Sequence, residues 1–311
     1  MQNLHLSIPS PSVSSFQVGP FVIHFYALFI LLGIAAAVWI GSKRWTSRGG
    51  RKGQILDIAL WTVPIGIIGA RIFHVLTHWD YYFHAGTNVT KVFAIWEGGL
   101  AIYGGLIFGV LGAWLGARST GVKLLSVADA LAPGILVAQA IGRLGNYFNQ
   151  ELFGQPTDLP WGLQIPSSNV AYPQGFPDGV LFHPTFLYEM IWNLIGFALI
   201  VLVLEKRFNL RNGRALAVYL VYYSIGRAFI ESIRIDQSEY FLGLRTNVWS
   251  AIITIVIGLV LLVWLRRSRP GTEQSLYLPG RQPLEPIEPE RPKPADGLDF
   301  EYTSDDNPDR G

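Results

Sequence analysis

The string GRLGNYFNQELFG, at residues 142–154, places several hydrogen-bonding side chains directly after a long apolar stretch. Its Arg143, Asn146, Asn149 and Glu151 are residue types that bind an anion and hold the binding group in place. Arginine is always protonated, and its planar fork matches the oxygens of phosphate. Polar groups beside a hydrocarbon-like segment are expensive, so we interpret this string as a functional site.

Further ionisable side chains interrupt other apolar stretches of the chain. They are Tyr26, Arg71, Tyr103, Glu189, Arg227 and Glu231. Arginines at head-group depth favour an anionic phospholipid or another phosphoryl compound as the ligand, and neighbouring carboxylates would orient the arginines or accept a proton. For any single residue, a buried ion pair or a snorkelling anchor is the alternative. The set as a whole favours binding and catalysis.

The apolar stretches themselves predict the fold. Half of the 311 residues are hydrophobic and only 15% are charged, which is typical of a chain in lipid. Seven stretches are long enough, or nearly so, to cross a hydrocarbon core of about 30 Å. They are residues 21–40, 54–76, 98–117, 124–144, 184–204, 214–233 and 246–265. We therefore predict an all-α integral membrane protein with a seven-transmembrane-helix bundle, because the sequence lacks the alternating strands of a barrel.

The Lys and Arg residues of the connections predict how the spans are oriented. Most of them follow the first, third, fifth and seventh spans, whereas the opposite connections hold only Lys91, Arg234 and Arg245. This distribution predicts an extracytoplasmic N-terminus and a cytoplasmic C-terminus. Because successive spans run in opposite directions, the ionisable side chains within them all fall in the outer half. We expect them to line one polar chamber in the outer leaflet.

Composition also divides the chain into predicted parts. Residues 1–20 form an extracytoplasmic N-terminal segment without the features of a signal peptide, and residues 21–265 form the transmembrane domain. The Pro-rich and aromatic residues 145–183 predict a folded extracytoplasmic cap loop. Residues 266–311 are rich in Pro and charge, which predicts a disordered cytoplasmic tail.

The chain has no Cys, which excludes a disulfide framework, a thiolate metal site and a cysteine nucleophile. Its six His are scattered and no HExxH motif occurs, so the sequence predicts no metal site. We expect no cofactor and no nucleic-acid partner.

Four strings, read together, resemble those of the bacterial prolipoprotein diacylglyceryl transferase family. They are the 142–154 string, WEGGLAIYGG from Trp96, HPTFLYE from His183 and GRAFIESIR from Gly226. The resemblance covers residues 16–265, in the same order and at the same topological depth. The 142–154 string is the family's signature and is highly specific, whereas a lone HPxxxYE or GG pair would be weak.

The resemblance implies a reaction and its partners. Such an enzyme transfers the diacylglyceryl group of phosphatidylglycerol to the lipobox cysteine of a prolipoprotein signal peptide, forms a thioether and releases glycerol phosphate. The implied partners are therefore phosphatidylglycerol, prolipoprotein signal peptides and membrane lipids, in a bacterial plasma membrane. The attacking sulfur belongs to the substrate, which agrees with the absence of Cys from this chain.

The resemblance also assigns roles to individual residues. Arg143 would bind the lipid phosphate, Arg227 would assist the leaving group, and Glu231, one turn later, would hold Arg227. The implied catalytic residues are Tyr26, Tyr103, Arg143, Asn146, Glu151, Glu189, Arg227 and Glu231. The implied substrate-binding residues are Arg71, Gly142, Arg143, Asn149, Gly154 and Arg227.

One position departs from some members of the family, which carry His where this chain carries Tyr103. That His has been discussed as the base that takes the thiol proton. A phenol has an unperturbed pKa of about 10 and is a poor base at neutral pH. Glu151, Glu189 and Tyr26 are therefore the alternative bases, and Tyr103 would only hydrogen-bond the head group.

Two other classes of protein remain open on the residues alone. A transporter or flippase for an anionic solute would also carry Arg and Glu within its spans, but it would bind near the midplane and show repeat symmetry. A non-catalytic lipid-binding scaffold would explain the arginines, but not the carboxylates, Tyr26 and the dense signature string.

Overall fold

The described part of the chain is built mainly from α-helices. The structure is a computed structural model, and it describes residues 7–84 and 86–282. A π-helical segment, Leu199–Leu204, directly follows the helix that ends at Ala198, and two 3-10 turns, Val89–Phe93 and Ile95–Glu97, precede the helix that begins at Ile102. The α-helices are α1 (Phe25–Ser47), α2 (Gln54–Thr77), α3 (Trp79–Phe83), α4 (Ile102–Ser119), α5 (Leu124–Asn149), α6 (Thr185–Ala198), α7 (Glu205–Arg207), α8 (Arg214–Ile233) and α9 (Thr246–Ser268).

Short antiparallel pairs of β-strands lie before α1 and between later helices. The pairs are β1 (Ser15–Val18) with β2 (Phe21–His24), β3 (Leu163–Gln164) with β4 (Leu181–Phe182), and β5 (Tyr240–Phe241) with β6 (Leu244–Arg245). The start of the first predicted span is therefore wrong, because residues 21–24 form strand β2 and helix α1 begins at Phe25.

Six helical stretches of the described residues are long and apolar enough to cross a membrane, which supports the all-α membrane fold. They are Phe25–Ser47, Gln54–Thr77, Leu124–Asn149, Thr185–Arg207, Arg214–Ile233 and Thr246–Ser268. The Gly-rich α4 is not among them, although its 18 residues rise about 27 Å. The predicted count of seven spans therefore stays a prediction.

Helix α5 is longer than the fourth predicted span, which ends at residue 144. It continues to Asn149 and is followed by Gln150 in the left-handed region, with φ of 52°. Residues 145–149 are thus helix and not loop, because helical hydrogen bonds also satisfy the backbone of a polar segment. The side chains of Arg143, Asn146 and Asn149, three residues apart, share one side of α5.

Close contacts at small residues show that neighbouring helices run antiparallel. A Cβ on Gly33 of α1 would lie 2.9 Å from the carbonyl oxygen of Ala138 in α5, and one on Gly41 would lie 2.5 Å from Leu131. Helix α2 packs on α4, and α8 on α9, in the same antiparallel way. The starts of α1, α4, α6 and α9 and the ends of α2, α5 and α8 therefore meet at one end of the bundle, the site end.

At the opposite end, a buried aspartate fixes the start of α8. Asp129 of α5 is fully buried, and its Oδ2 accepts a hydrogen bond of 2.6 Å from the backbone N–H of Gly213. Its Oδ1 accepts one of 3.0 Å from the N–H of Leu216. The carboxylate thus satisfies donors that the first turn of a helix leaves unpaired.

The loop after α5 has a small apolar core of its own. The buried side chains are Phe153, Leu163, Ile165 and Phe182 of the loop, together with Phe186 of α6. Ile8, in the predicted N-terminal segment 1–20, bridges to this loop at Leu163, while residues 1–6 of that segment lie outside the described residues. The predicted cap loop is therefore folded, and its extracytoplasmic location stays a prediction.

Residues 266–282 differ from the disordered tail that composition predicts. The chain returns to the bundle after α9, where Leu276 and Tyr277 are buried against apolar side chains of α1, α2 and α5. The carbonyl oxygen of Leu276 accepts a hydrogen bond of 2.9 Å from the backbone N–H of Lys123. Isolated apolar residues in a polar segment are sufficient to anchor it. The rest of the predicted tail, residues 283–311, lies outside the described residues.

Candidate active site

Helices α5, α6 and α8 bring one buried carboxylate between two guanidinium groups at the site end. Glu189 of α6 is 5% exposed, and its Oε1 accepts a hydrogen bond of 3.0 Å from Nη1 of Arg227 on α8. Its Oε2 makes an ion-pair contact with Nη2 of Arg143 on α5, at an angle too oblique for a regular hydrogen bond. We name Arg143, Glu189 and Arg227 the Arg–Glu cluster. The structure thus brings together three of the residues that the sequence predicts in the site.

Both guanidinium groups of the cluster remain reachable. The side chain of Arg143 is 18% exposed and that of Arg227 is 20% exposed, whereas Glu189 is buried between them. A guanidinium carries five N–H donors, so sharing one carboxylate leaves both arginines with donors to spare. The cluster can therefore bind a further anion with two oxygens, such as a phosphate, through both forks.

A chain of amide contacts links the cluster to the loop that follows α5. Nη1 of Arg143 donates to Oδ1 of Asn146 over 3.0 Å, and Nδ2 of Asn146 donates to Oε1 of Glu151 over 2.9 Å. Nδ2 of Asn149 donates to the same Glu151 oxygen over 3.2 Å. The two amides therefore hold the Glu151 carboxylate beside Arg143 and fix the direction of the guanidinium fork.

The backbone around Glu151 is strained. Gln150 and Leu152, on either side of it, have φ values of 52° and 59°, a region that residues other than Gly rarely adopt. The turn is held by the N–H of Glu151, which donates to the carbonyl oxygen of Asn146 over 3.1 Å, and by Thr185, which donates to that of Leu152. Strain of this kind persists only where the surroundings fix it, and it is concentrated at functional sites.

Glu231, one turn after Arg227, lies at the centre of a second buried ion-pair network. It is fully buried, and Nη2 of Arg227 lies 2.9 Å from its Oε2. Nη1 of Arg234 lies 3.1 Å from the same oxygen. Nε of Arg245 and Nδ2 of Asn247 lie 3.0 Å and 2.9 Å from Oε1. We name these five residues the Glu231 network, and it fixes Arg227 from the side opposite Glu189.

Sequence reasoning assigned no site role to three members of this network. By sequence, Arg234 and Arg245 are only basic residues of the connections, and Asn247 has no predicted role. Arg234 follows Glu231 by three residues within the GRAFIESIR string, a spacing that could have revealed it. Arg245 reaches Glu231 through the hairpin of β5 and β6, and no sequence pattern indicates that contact.

Two further predicted residues lie where α1 packs on α5. The ring of Tyr26 contacts α5 at Gly145, where a Cβ would lie 2.5 Å from Cδ2 of the ring. Gly142, one turn earlier, faces Ile30 of α1. Tyr26 is 39% exposed, and its hydroxyl makes no hydrogen bond within residues 7–84 and 86–282. The ring thus packs on α5 at the residue before Asn146, and the hydroxyl is open to a ligand.

Arg71 has different partners from those that the sequence predicts. The side chain is 6% exposed, and each of its three nitrogens donates to a main-chain oxygen of the loop before α4. Nε donates to Val92 over 2.8 Å, and Nη1 donates to Gly98 over 2.7 Å. The side chain therefore holds this loop against α2, and the structure does not bring Arg71 to the Arg–Glu cluster.

Tyr103 also lies away from the cluster. Its hydroxyl is 3.4 Å from Oγ of Ser250 on α9, and its ring centroid is 6.5 Å from that of Phe73. The side chain is 52% exposed. Among the residues that the structure describes, Tyr103 has no contact with a carboxylate or a guanidinium.

Gly154, the last residue of the signature string, joins three elements. Its N–H donates to the carbonyl oxygen of His183 over 2.9 Å, and it forms a bridge with Arg234 after α8. A Cβ at this position would lie 2.8 Å from Cβ of His183 and 3.0 Å from the carbonyl oxygen of Ile233. Gly154 therefore positions the Arg–Glu cluster by allowing α6 and α8 to approach the loop.

Replacing Gly154 by Ala is expected to destabilise the protein by about 1–3 kcal/mol, because the methyl group has no room and its neighbours include backbone. Thermal unfolding in detergent would measure the loss. Gly109→Ala in α4 is the matched control, since a Cβ there meets nothing within 4 Å. Equal melting temperatures for the two variants would contradict this assignment.

Known proteins are similar to this chain over most of its length. Residues 13–264 match the family model described as prolipoprotein diacylglyceryl transferase. A protein of Leifsonia xyli named phosphatidylglycerol–prolipoprotein diacylglyceryl transferase is 51% identical, over 92% of this chain and 89% of its own length. Proteins with the same name are 48% identical in Streptomyces griseus, over 86% and 80%, and 50% identical in Bifidobacterium longum, over 85% and 87%. This chain therefore belongs to the prolipoprotein diacylglyceryl transferase family.

Proposed function

We propose that this chain transfers the diacylglyceryl group of phosphatidylglycerol to the lipobox cysteine of a prolipoprotein signal peptide. Family membership and the names of the relatives support this reaction. Within the site, the observation that carries the proposal is the convergence of Arg143 and Arg227 on the two oxygens of Glu189. Two guanidinium forks at one point suit a phosphodiester that becomes a leaving phosphate.

The reaction forms one bond and breaks one bond at the glycerol carbon that carries the phosphate. The cysteine thiol loses its proton to a base, and the thiolate sulfur attacks that carbon. The carbon–oxygen bond to phosphate breaks, and its electron pair leaves with glycerol phosphate. Arg143 and Arg227 would stabilise the negative charge that develops on the phosphate oxygens, in a site where lipid excludes water.

The proton acceptor is a separate part of the proposal. Glu151, Glu189 and Tyr26 are the candidates. Glu151 receives hydrogen bonds from the neutral amides of Asn146 and Asn149, while both oxygens of Glu189 face guanidinium groups. This difference supports Glu151 as the base and Glu189 as the residue that orients the two arginines.

The proposed placement in the membrane follows from the distribution of Lys and Arg. Helix α4 would be the third of seven spans, the N-terminus and the site end would be extracytoplasmic, and the C-terminus would be cytoplasmic. Phosphatidylglycerol of the outer leaflet and the cysteine of an exported precursor would then meet at one depth. The cap loop would lie above the site, on the extracytoplasmic side. The membrane would be the bacterial plasma membrane.

Transfer by the purified protein is the direct test. Labelled phosphatidylglycerol in detergent micelles and a synthetic lipobox peptide should yield a labelled thioether peptide and free glycerol phosphate. A peptide with Ser in place of the Cys should yield neither product. Lipid binding without transfer would contradict the proposed enzymatic activity and favour a lipid-binding scaffold. Movement of lipid across vesicle membranes without a thioether product would favour a flippase.

Replacing Tyr103 by Phe is expected to leave the transfer rate within about threefold of the wild type, because loss of one weak, half-exposed hydrogen bond costs little. The same assay, run over a range of pH, would measure this. A large loss of rate with a changed pH profile would instead return Tyr103 to the proton-transfer step.

A further inference from the structure

A second cationic site lies at the end of the bundle opposite the Arg–Glu cluster. There, the end of α1, helix α7 and the turn before α8 enclose a cavity of about 250 Å³. We name it the basic pocket. It is lined by Arg44, Ser47, Arg48, Glu205, Asn209, Leu210 and Arg211.

Cations outnumber the available anions in the basic pocket. Arg44 and Arg48 share the single carboxylate of Glu205, with Nη1 of Arg44 and Nη2 of Arg48 each 2.8 Å from one of its oxygens. The side chain of Arg211 makes no ion pair within the part of the chain that the structure describes. Asp129 lies behind the pocket, but both of its oxygens already accept N–H groups at the start of α8. Even with Asp129 counted, the pocket has an excess positive charge.

One of these arginines is buried without a full set of partners. The side chain of Arg48 is 8% exposed, and its Nη1 has no hydrogen-bond partner among residues 7–84 and 86–282. A buried N–H without an acceptor costs about 1–3 kcal/mol, and more when the group is charged. An anion in the pocket would supply the missing acceptor, after a small rotation of the guanidinium, and would offset that cost.

We infer that the basic pocket binds the phosphate of an anionic phospholipid in the leaflet opposite the active site. Three arginines around one cavity match a phosphate group, since each guanidinium fork can donate to two of its oxygens. The pocket lies at helix ends, at the depth of lipid head groups. The exposed Leu202, three residues before Glu205, and the exposed Phe208, next to Asn209, offer apolar surface for an acyl chain. Basic pockets between transmembrane helices are recognised sites for anionic head groups.

The binding of this lipid does not depend on the transfer reaction, so it can be tested with a probe that differs from phosphatidylglycerol. Dioleoyl phosphatidic acid, added to the full chain in neutral detergent, should raise the melting temperature of the wild type. The Arg48→Gln/Arg211→Gln variant should lose at least half of that rise. The matched control is Lys206→Gln/Arg207→Gln, which removes two exposed charges nearby and should keep the whole rise.

Native mass spectrometry of the same three proteins provides a second readout that does not depend on their stability. The wild type and the control should retain one more phosphatidic acid molecule than the pocket variant. Dioleoyl phosphatidylcholine should give no difference among the three. Equal retention of phosphatidic acid by all three proteins would contradict the proposed lipid site. If inorganic phosphate raised the melting temperature as much as phosphatidic acid does, the ligand would be a soluble phosphate and not a lipid.

Discussion

Replacing Arg143 by Lys is expected to lower kcat/KM for diacylglyceryl transfer about 100-fold, or about 2.7 kcal/mol of transition-state stabilisation. The charge is retained in this variant, but the fork is not. Arg143 contacts Asn146 through Nη1 and Glu189 through Nη2, on two sides of the side chain. A single ammonium group cannot hold both partners and also bind a phosphate, so the contacts with Asn146 and Glu189 are not both kept.

The division between kcat and KM would show how Arg143 acts. If it contacts the phosphate equally in the bound lipid and in the transition state, KM rises and kcat is unchanged. If it stabilises the developing charge, as we expect, kcat falls with kcat/KM. Arg207→Lys, on the exposed α7, is the control and should leave both constants unchanged. Wild-type kcat/KM for Arg143→Lys would mean that positive charge alone is sufficient at this position.

The meeting of Arg143, Glu189 and Arg227 could be predicted from sequence because the spans alternate in direction. Depth in a membrane follows from the offset of a residue within its span, so residues on α5, α6 and α8 could be compared without knowledge of their packing. The antiparallel contacts of the helices place the three side chains at one end, as this argument requires. Lateral position within that end is not encoded in the same pattern.

Arg71 and Tyr103 show this limit. Both lie at the site end, but on the α2 and α4 pair, whose Gly residues pack the two helices against each other. Neither side chain contacts the cluster. Hydropathy shows only that a side chain is inside a span, and it cannot distinguish a ligand from a main-chain oxygen as the partner of Arg71. The predicted end of α5 is wrong for a related reason. The apolar pattern stops at Leu144, whereas the helical hydrogen bonds continue to Asn149.

Replacing Glu231 by Gln is expected to destabilise the protein by about 3–5 kcal/mol, the range found when one charged partner is removed from a buried ion pair. Glu231 is fully buried, and Arg227, Arg234 and Arg245 all contact its carboxylate. Glutamine has nearly the same shape but no charge, so the guanidinium groups of Arg227, Arg234 and Arg245 would share only Asp236 and Glu189. Thermal unfolding in detergent would measure the loss.

Glu239→Gln is the matched control for this substitution, because Glu239 is exposed, lies near the same end of α8 and makes no ion pair in the described residues. It should unfold at the wild-type temperature. Below the melting temperature of Glu231→Gln, the folded fraction should also show a reduced kcat, because Arg227 keeps Glu189 but loses its second anchor. A stable Glu231→Gln protein with wild-type kcat would mean that Glu189 alone positions Arg227. The Glu231 network would then serve only to join α8 to α9.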